Sequence, residues 1–508
     1  MRRLFVLLTA GLLAASLAVP AAVSAAGSTY QVPRPNGHDD TTAIQTGLDW
    51  CTAHGPGCTV QLQAGTYRTS QLVEYGFRGT FKGVGQHRTT IRALPHLLIT
   101  GPDPWVDGAC LPNLTDCRAA DFIIFVNGNV RVSDLALDFP ATNGTETTPF
   151  TLGGNQYSGL MTALEFTGDT HAHAAVDHVS VTGRADHTAS NLLGLGFNVA
   201  QGIMFDGWYP SAPFPSFTSA TRSGTFTVRN STVRTFWDAV LVNGAIRDSK
   251  ITISGNRISD VDFGLDLSGA NSVFEISNNR IAATNAAPEE IDHVGVLVEP
   301  TSSAGLSTRL SRFSIHDNAF RVSDTCGCGM FGMWLQDAAW GAPDHWFKAT
   351  IKHNSISLPT TFTLAGEGKE GIDANNITGT VIAANRFTGT AAGTWDAISL
   401  WGNDASMLPS TGNVIVGNNV SGLKPAGSEP YPDDVPGLGL SQIYLDAYTT
   451  DNRVVCTRRN DTAYDGGTGN TVIGCTTPPL PAAAAPNVSP MLRQASPASR
   501  LQKAQLHR

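Results

Sequence analysis

The sequence predicts an all-β protein wound as a solenoid of parallel strands, with one short helix closing its N-terminal end. Two repeated patterns and one absence predict it. The pattern I-x-x-N-x-[IFV] occurs six times, from Ile253, Ile276, Ile315, Ile351, Ile382 and Ile415. Its asparagines, Asn256, Asn279, Asn318, Asn354, Asn385 and Asn418, are 23 to 39 residues apart. A second pattern (small, apolar, any, apolar, polar) follows each one, as GLDLS at 264, GVLVE at 295, GMWLQ at 332, GIDAN at 371, AISLW at 397 and QIYLD at 442. Earlier copies are GIMFD at 202 and AVLVN at 239. After residue 52 almost no stretch is long and amphipathic enough for a helix. Short alternating runs are strands, because successive side chains face opposite ways. A repeat of this length holding two or three strands is one coil of a solenoid. A propeller blade needs about four strands in ~40 residues, and one of these repeats spans only 23.

Residues 1–26 carry Arg2 and Arg3, an apolar run from Leu4 to Val19 and a small-residue exit at Val23-Ser24-Ala25. They read as a secretory signal cut near Ala25 or Ala26. The alternative is a membrane anchor, for which the run is short. No other stretch is long and apolar enough to cross a bilayer. A secreted, extracellular protein is therefore expected.

Asp39, Asp40 and Thr41 suit a helix start. Ala43, Ile44 and Leu48, with Trp50 or Cys51, then form one apolar stripe. Such a helix covers the open end of a solenoid, which otherwise exposes an unpaired edge. Asp39 and Asp40 as a calcium site is the competing reading. Residues 36–93, through GHDDTTAIQ (37–45), AGTY (64–67) and FKGVGQHRTTI (81–91), resemble the opening of the pectin lyase-like superfamily, and of its "pectate lyase superfamily protein" branch in particular. With the asparagine repeats the resemblance covers residues 30–476. It implies a right-handed parallel β-helix for residues 27–476. The polygalacturonase-like set of Asn-Thr-Asp, Asp-Asp and Gly-His-Gly is incomplete, since Asn-Thr-Asp and Gly-His-Gly are not found, nor is the pectate lyase Arg-x-Pro-x-x-Arg. No catalytic residue is carried over by motif.

The eight cysteines fall in local pairs: Cys51 with Cys58, Cys110 with Cys117, Cys326 with Cys328 and Cys456 with Cys475. An even count in an exported chain suggests disulfides, with a zinc site as the alternative. The Cys326–Cys328 ring is the tightest of the four. Residues 477–508 are rich in Pro, Ala and Ser, with no periodic apolar face, and read as a disordered tail. The net charge is −9; without Arg2, Arg3 and the tail's Arg493, Arg500, Lys503 and Arg508 the body carries −15. Such a body disfavours nucleic acid, and favours a neutral glycan, or an acidic one only if Ca2+ bridges the charges.

Within each coil, the repeated asparagine suits a left-handed corner, and stacked amides bond from coil to coil. In the second pattern, Ile203, Val240, Leu265, Val296, Met333, Ile372, Ile398 and Ile443 face the core. One outward column holds Met204, Leu241, Asp266, Leu297, Trp334, Asp373, Ser399 and Tyr444. A second holds Asp206, Asn243, Ser268, Glu299, Gln336, Asn375, Trp401 and Asp446. A third, two residues before the small one, includes Trp237, Asp262, His293, Lys369 and Trp395.

Coils stack ~4.8 Å apart, so column neighbours touch. Asp262 then lies beside His293. Asp266 and Glu299 lie ~8 Å apart, a spacing at which two carboxylates act through a water. Asp262, Asp266, His293 and Glu299 are the expected catalytic set. Trp237, Trp334, Trp395 and Trp401 offer flat surfaces for sugar rings, and Asp373 a hydroxyl partner. A second grouping sets Glu370 beside Asp396 near Lys369, with Lys369 as the base of a lyase. These features predict a monomer acting on an extracellular polysaccharide, a glycoside hydrolase before a polysaccharide lyase. The alternative is a non-catalytic glycan-binding or adhesion protein, which needs aromatics and amides but no paired ionisable groups.

Overall fold

A computed structural model of the chain describes residues 27–478 apart from 95–120, 140–149, 153–154, 158–159, 168–171, 185–198, 207–223, 243–245, 270, 285–291, 299–310, 324–328, 337–346, 360–368, 390–395, 403–407 and 424–438. The leader, most of the tail, and the pairs Cys110–Cys117 and Cys326–Cys328 lie outside the described residues.

One coil illustrates the rest. The strand Lys250–Ser254 lies on a flank sheet and pairs with Gly224–Arg229 before it and Val273–Ser277 after it. A corner at Gly255 and Asn256 leads into the strand Arg257–Leu267. That strand bends at Asp260, whose φ is 57°. Its first part, 257–259, belongs to a rear sheet and pairs with Arg280–Ala283. Its second part belongs to a front sheet and pairs with His293–Val298. Pairing between coils is parallel throughout; the antiparallel pair among the described residues is the small hairpin of Phe150–Leu152 and Asn155–Tyr157. The chain is therefore a parallel β-helix with three faces.

The predicted inward column is in register over eight coils, from Ile203 through Val240, Leu265, Val296, Met333, Ile372 and Ile398 to Ile443. All eight side chains are buried. The interior also stacks aromatics along its axis, Phe125 on Phe166 at 5.7 Å and Phe166 on Phe205 at 5.4 Å. The small residue of the pattern is small because its Cα faces the core. A Cβ at Gly332 would lie 2.5 Å from both Ile356 Cγ2 and Gly371 O.

The six asparagines form a continuous buried ladder. Asn256 donates its N–H and its side-chain amide to Asn279 Oδ1, each at 3.0 Å. The same pair of bonds joins Asn279 to Asn318, Asn318 to Asn354, Asn354 to Asn385 and Asn385 to Asn418. One expectation is corrected here. The left-handed residue is not the asparagine but the one before it: Gly255, Asn278, Asp317, His353, Ala384 and Gly417, with φ between 54° and 67°. That residue turns the chain, so the asparagine can point inward and bond across coils. A second ladder, Asn413 to Asn452 to Asn470, closes the C-terminal coils by the same device.

The helix Thr41–His54 covers the N-terminal end and buries Ile44, Leu48 and Cys51. Its entry differs from the expected cap. Asp40 occupies the N-cap without a side-chain cap bond. Its carboxylate accepts from the N–H groups of Asn36 and Arg68 instead, tying the helix start to a strand of the first coils. Disulfides Cys51–Cys58 and Cys456–Cys475 are formed, one at each end of the solenoid.

Beneath the helix, Glu74 accepts from Thr52 Oγ1 at 2.5 Å and from Gln45 Nε2 at 2.9 Å. Burial first, and nearby Asp49 after it, push its carboxyl up from 4.5 to about 7. A carboxyl raised by folding binds its proton more tightly when folded, so stability falls as pH rises from about 4.5 to about 7. Glu74→Gln is therefore expected to raise the melting temperature at pH 8 and leave it little changed at pH 4. Calorimetry at the two pH values checks this; an equal shift at both contradicts it.

Candidate functional site

On the flank and rear sheets, alternate residues face solvent, as in the exposed-buried alternation of Phe347–Lys352. The front sheet differs. Its outward positions are buried as well: Leu241, Asp266, Leu297, Trp334, Asp373, Ser399 and Tyr444 are all under a tenth exposed. These residues form one column in register from Met204 to Tyr464.

The inward turn of the small residue alters the simple alternation. Because both Gly332 and Met333 face the core, the residue before the glycine shares a face with the residue after the methionine. Phe331 accordingly stacks on Trp334, with ring centroids 5.2 Å apart. Nearer the N-terminal end of the same sheet the same relation lets Thr162 Oγ1 reach Met204 Sδ on the adjoining coil at 3.6 Å. The second outward column is therefore that of Thr162, Gln201, Asp238, Phe263, Val294, Phe331, Glu370 and Asp396. The third column expected from the sequence, that of Trp237, Asp262, His293 and Lys369, lies one residue before it.

This column holds the second grouping expected from the sequence, Glu370 beside Asp396. Glu370 and Asp396 are direct register partners on adjacent strands, Lys369–Asn375 and Asp396–Trp401. Their backbones are thus ~4.8 Å apart. Both lie within strands rather than in a turn. Asp396 is 0% exposed. Burial, and then the Glu370 charge, push its carboxyl well above the ordinary aspartate range. The Gly439 N–H and the Ser441 hydroxyl bond the carboxyl and offset part of that rise. Asp396 therefore binds its proton more tightly than an ordinary aspartate, the direction that suits a general acid. Asp373, three residues from Glu370 on the same face, accepts from Asn375 Nδ2 at 2.9 Å. Its register partner Ser399 has a buried Oγ without a hydrogen-bond partner among the described residues.

The other expected residues fall as follows. Asp262 and His293 are neighbours, with His293 Nε2 3.6 Å from Asp262 Oδ1, and both are buried at the bend into the front strand. Asp266 faces outward between Leu241 and Leu297. Glu299 and Trp395 lie outside the described residues. Trp237 packs its edge on Phe263, Trp334 lies against Phe331, and Trp401 against Tyr444 at 4.6 Å. All three tryptophans are buried, so neighbouring rings take up surface that was expected to meet sugar.

A second carboxyl pair sits near the start of the front sheet. Asp121, fully buried and hydrogen-bonded to Glu165, has its carboxyl raised by that burial. Among the described residues, no cluster of three or more His, Cys, Asp or Glu side chains is arranged to hold a metal ion. No described helix is long and apolar enough to cross a membrane.

No family model matches the chain, and no curated protein matches it. Among solved structures it is similar to the A-module of the mannuronan C-5 epimerase AlgE6 of Azotobacter vinelandii, at 14% identity over 89% of this chain and 99% of that one, with a TM-score of 0.47. It is similar to the Dettilon tailspike protein at 12% identity, over 88% of this chain and 68% of that one, TM-score 0.47. It is also similar to a family 28 exopolygalacturonase of Yersinia enterocolitica, at 14% identity over 89% and 79% of the two chains, TM-score 0.42. These likenesses are too distant to bear on the chemistry.

Proposed function

We propose that this chain is a carbohydrate-active enzyme, a glycoside hydrolase whose front sheet holds an extracellular polysaccharide along the stacked coils. One observation carries the reading: Glu370 and Asp396 are in-register carboxyls, and burial with the Glu370 charge raises the proton affinity of Asp396. Hydrolysis of a glycosidic bond needs this division of labour, an acid for the leaving oxygen and an ionised carboxylate for the sugar. Acids, amides and the Ser399 hydroxyl along this column suit sugar hydroxyls.

In this mechanism Asp396 protonates the glycosidic oxygen as the bond breaks. Glu370 attacks the anomeric carbon from the opposite side, giving a glycosyl ester on Glu370. Asp396, now ionised, takes a proton from water, which releases the sugar and restores both groups. A spacing near one strand separation leaves no room for a water between the carboxyls, and retaining enzymes place them ~5–5.5 Å apart. The first product should keep the anomeric configuration of the substrate, as read by NMR during early turnover. Inversion would instead favour a wider pair such as Asp266 and Glu299.

The leader and the two disulfides support export, and a monomer suffices for this site. The test is incubation of the purified chain with neutral and acidic plant, algal and microbial polysaccharides, with and without Ca2+. New reducing ends without unsaturation support the reading. Unsaturated ends would mark a lyase, with Lys369 as its base. Saturable binding without products would mark a glycan-binding or adhesion protein. Since Asp396 works only when protonated, activity is expected to fall as pH rises through its raised pKa. A flat alkaline limb of the pH profile would remove Asp396 from the acid role.

A further inference from the structure

We infer that the flank and rear sheets form a docking surface for a polyanionic polysaccharide, separate from the front face. The inference does not depend on the front sheet being an active site.

Lys250, Arg312 and Lys348 lie in one outward column of the flank sheet, interrupted by Val273. Arg257, Arg280 and Arg386 lie in one outward column of the rear sheet, interrupted by Ala319 and Ser355. All six side chains are exposed, and none is in an ion pair among the described residues. The rear column directly follows the asparagine corner, and the flank column lies at the opposite, leading end of the flank strands, so the two run parallel along the solenoid with the width of the flank sheet between them. The acids nearest them are largely engaged. Glu275 and Asp317 both bind His316, and Asp248 lies 3.6 Å from Arg247. Asp260 is exposed at the far end of the rear strand.

A chain of net charge −9 thus carries two local columns of exposed cations. At physiological salt the screening length is about 8 Å, so a partner on the rear responds to the local cations and little to the front.

Charge complementarity selects a polyanion, and two features select a polysaccharide. The cations rise one coil or more at a time, ~4.8 Å or its multiples, comparable with the length of a sugar ring. Backbone phosphates follow one another at ~3.4 Å along a DNA strand. Single-stranded nucleic acid is held by aromatic stacking, and the exposed large aromatic among the described residues is Tyr75, outside both columns.

The test uses the full-length chain with a heparin-derived dodecasaccharide and with polygalacturonate. Duplex DNA of similar charge is the competing probe. Binding is measured at 50 and 200 mM NaCl by polarisation of labelled probes. One variant replaces Arg257, Arg280, Arg312 and Lys348 by Gln; another replaces the tail's Arg493, Arg500, Lys503 and Arg508. Saturable binding of a polysaccharide is expected to weaken with salt. It should weaken at least about tenfold in the first variant, at unchanged melting temperature, and little in the second. No saturable binding at 50 mM NaCl overturns the inference. So does unchanged affinity in the first variant, loss confined to the tail variant, or tighter binding of DNA than of either polysaccharide. Because these probes report binding and not cleavage, an inactive front face leaves the outcome readable.

Discussion

Asn318→Ala is expected to destabilise the protein by about 3–4 kcal/mol, a large loss for one exchange of side chain. Asn318 sits mid-ladder. Its amide donates to Ile276 O, His316 O and Asn354 Oδ1, at 2.9, 2.9 and 3.0 Å. Its Oδ1 accepts from the N–H and the side-chain amide of Asn279, at 2.9 and 3.0 Å. Alanine removes these bonds and leaves the Asn279 N–H and the Ile276 carbonyl buried without partners. Each orphaned group costs roughly 1–3 kcal/mol, whereas a satisfied bond contributes only about 1. Asn418, at the end of this ladder, accepts from Asn385 but among the described residues donates to Ile382 O and to no further rung. Asn418→Ala should cost less. Urea midpoints of the two variants check the ordering. Equal losses would mean that the ladder acts residue by residue and not as a stack.

Asp396→Asn and Glu370→Gln should each lower turnover on a cleaved polysaccharide by a factor of about 10²–10⁴. The first removes the transferable proton, the second the attacking carboxylate. Neither should reduce stability. Burial favours the protonated form of Asp396, which Asn resembles in shape and charge, and Glu370→Gln removes a charge from a buried position. Melting temperatures equal to or above that of the unaltered chain are expected, so loss of activity cannot be assigned to unfolding. Full activity in either variant contradicts the assignment.

The coil register was legible because apolar residues recur in matched positions. Ile203, Val240 and Leu265 share a local pattern, and strand pairing then aligns everything attached to them. The corner was legible in part. Asparagine marks the ladder, but the backbone turn belongs to the residue before it. Gly412-Asn413, Asp451-Asn452 and Gly469-Asn470 carry the same signature, a left-handed residue followed by asparagine. They escaped a pattern that demanded isoleucine three positions earlier.

The site was harder to read. Strict alternation sets Asp262 and His293 on the outer face, yet two consecutive inward residues, such as Gly332 and Met333, move the outward column by one. Glu370 and Asp396 each stand immediately before the small residue, in EGIDAN and DAISLW. Aligning that position across coils pairs them from sequence, as the second grouping did. The tryptophans were expected to be open because they alternate outward. Their burial follows from packing on Phe263, Phe331 and Tyr444, which sequence spacing does not reveal.

The central claim is that Asp396 keeps its proton because it is buried next to the charge of Glu370. Carbon-13 NMR of labelled aspartate side chains, titrated in the unaltered chain and in Glu370→Gln, measures this directly. The account predicts an Asp396 carboxyl that titrates far above the ordinary range, and that moves down, though not fully, when Glu370 is neutralised. Titration near pH 4 in both proteins would contradict it.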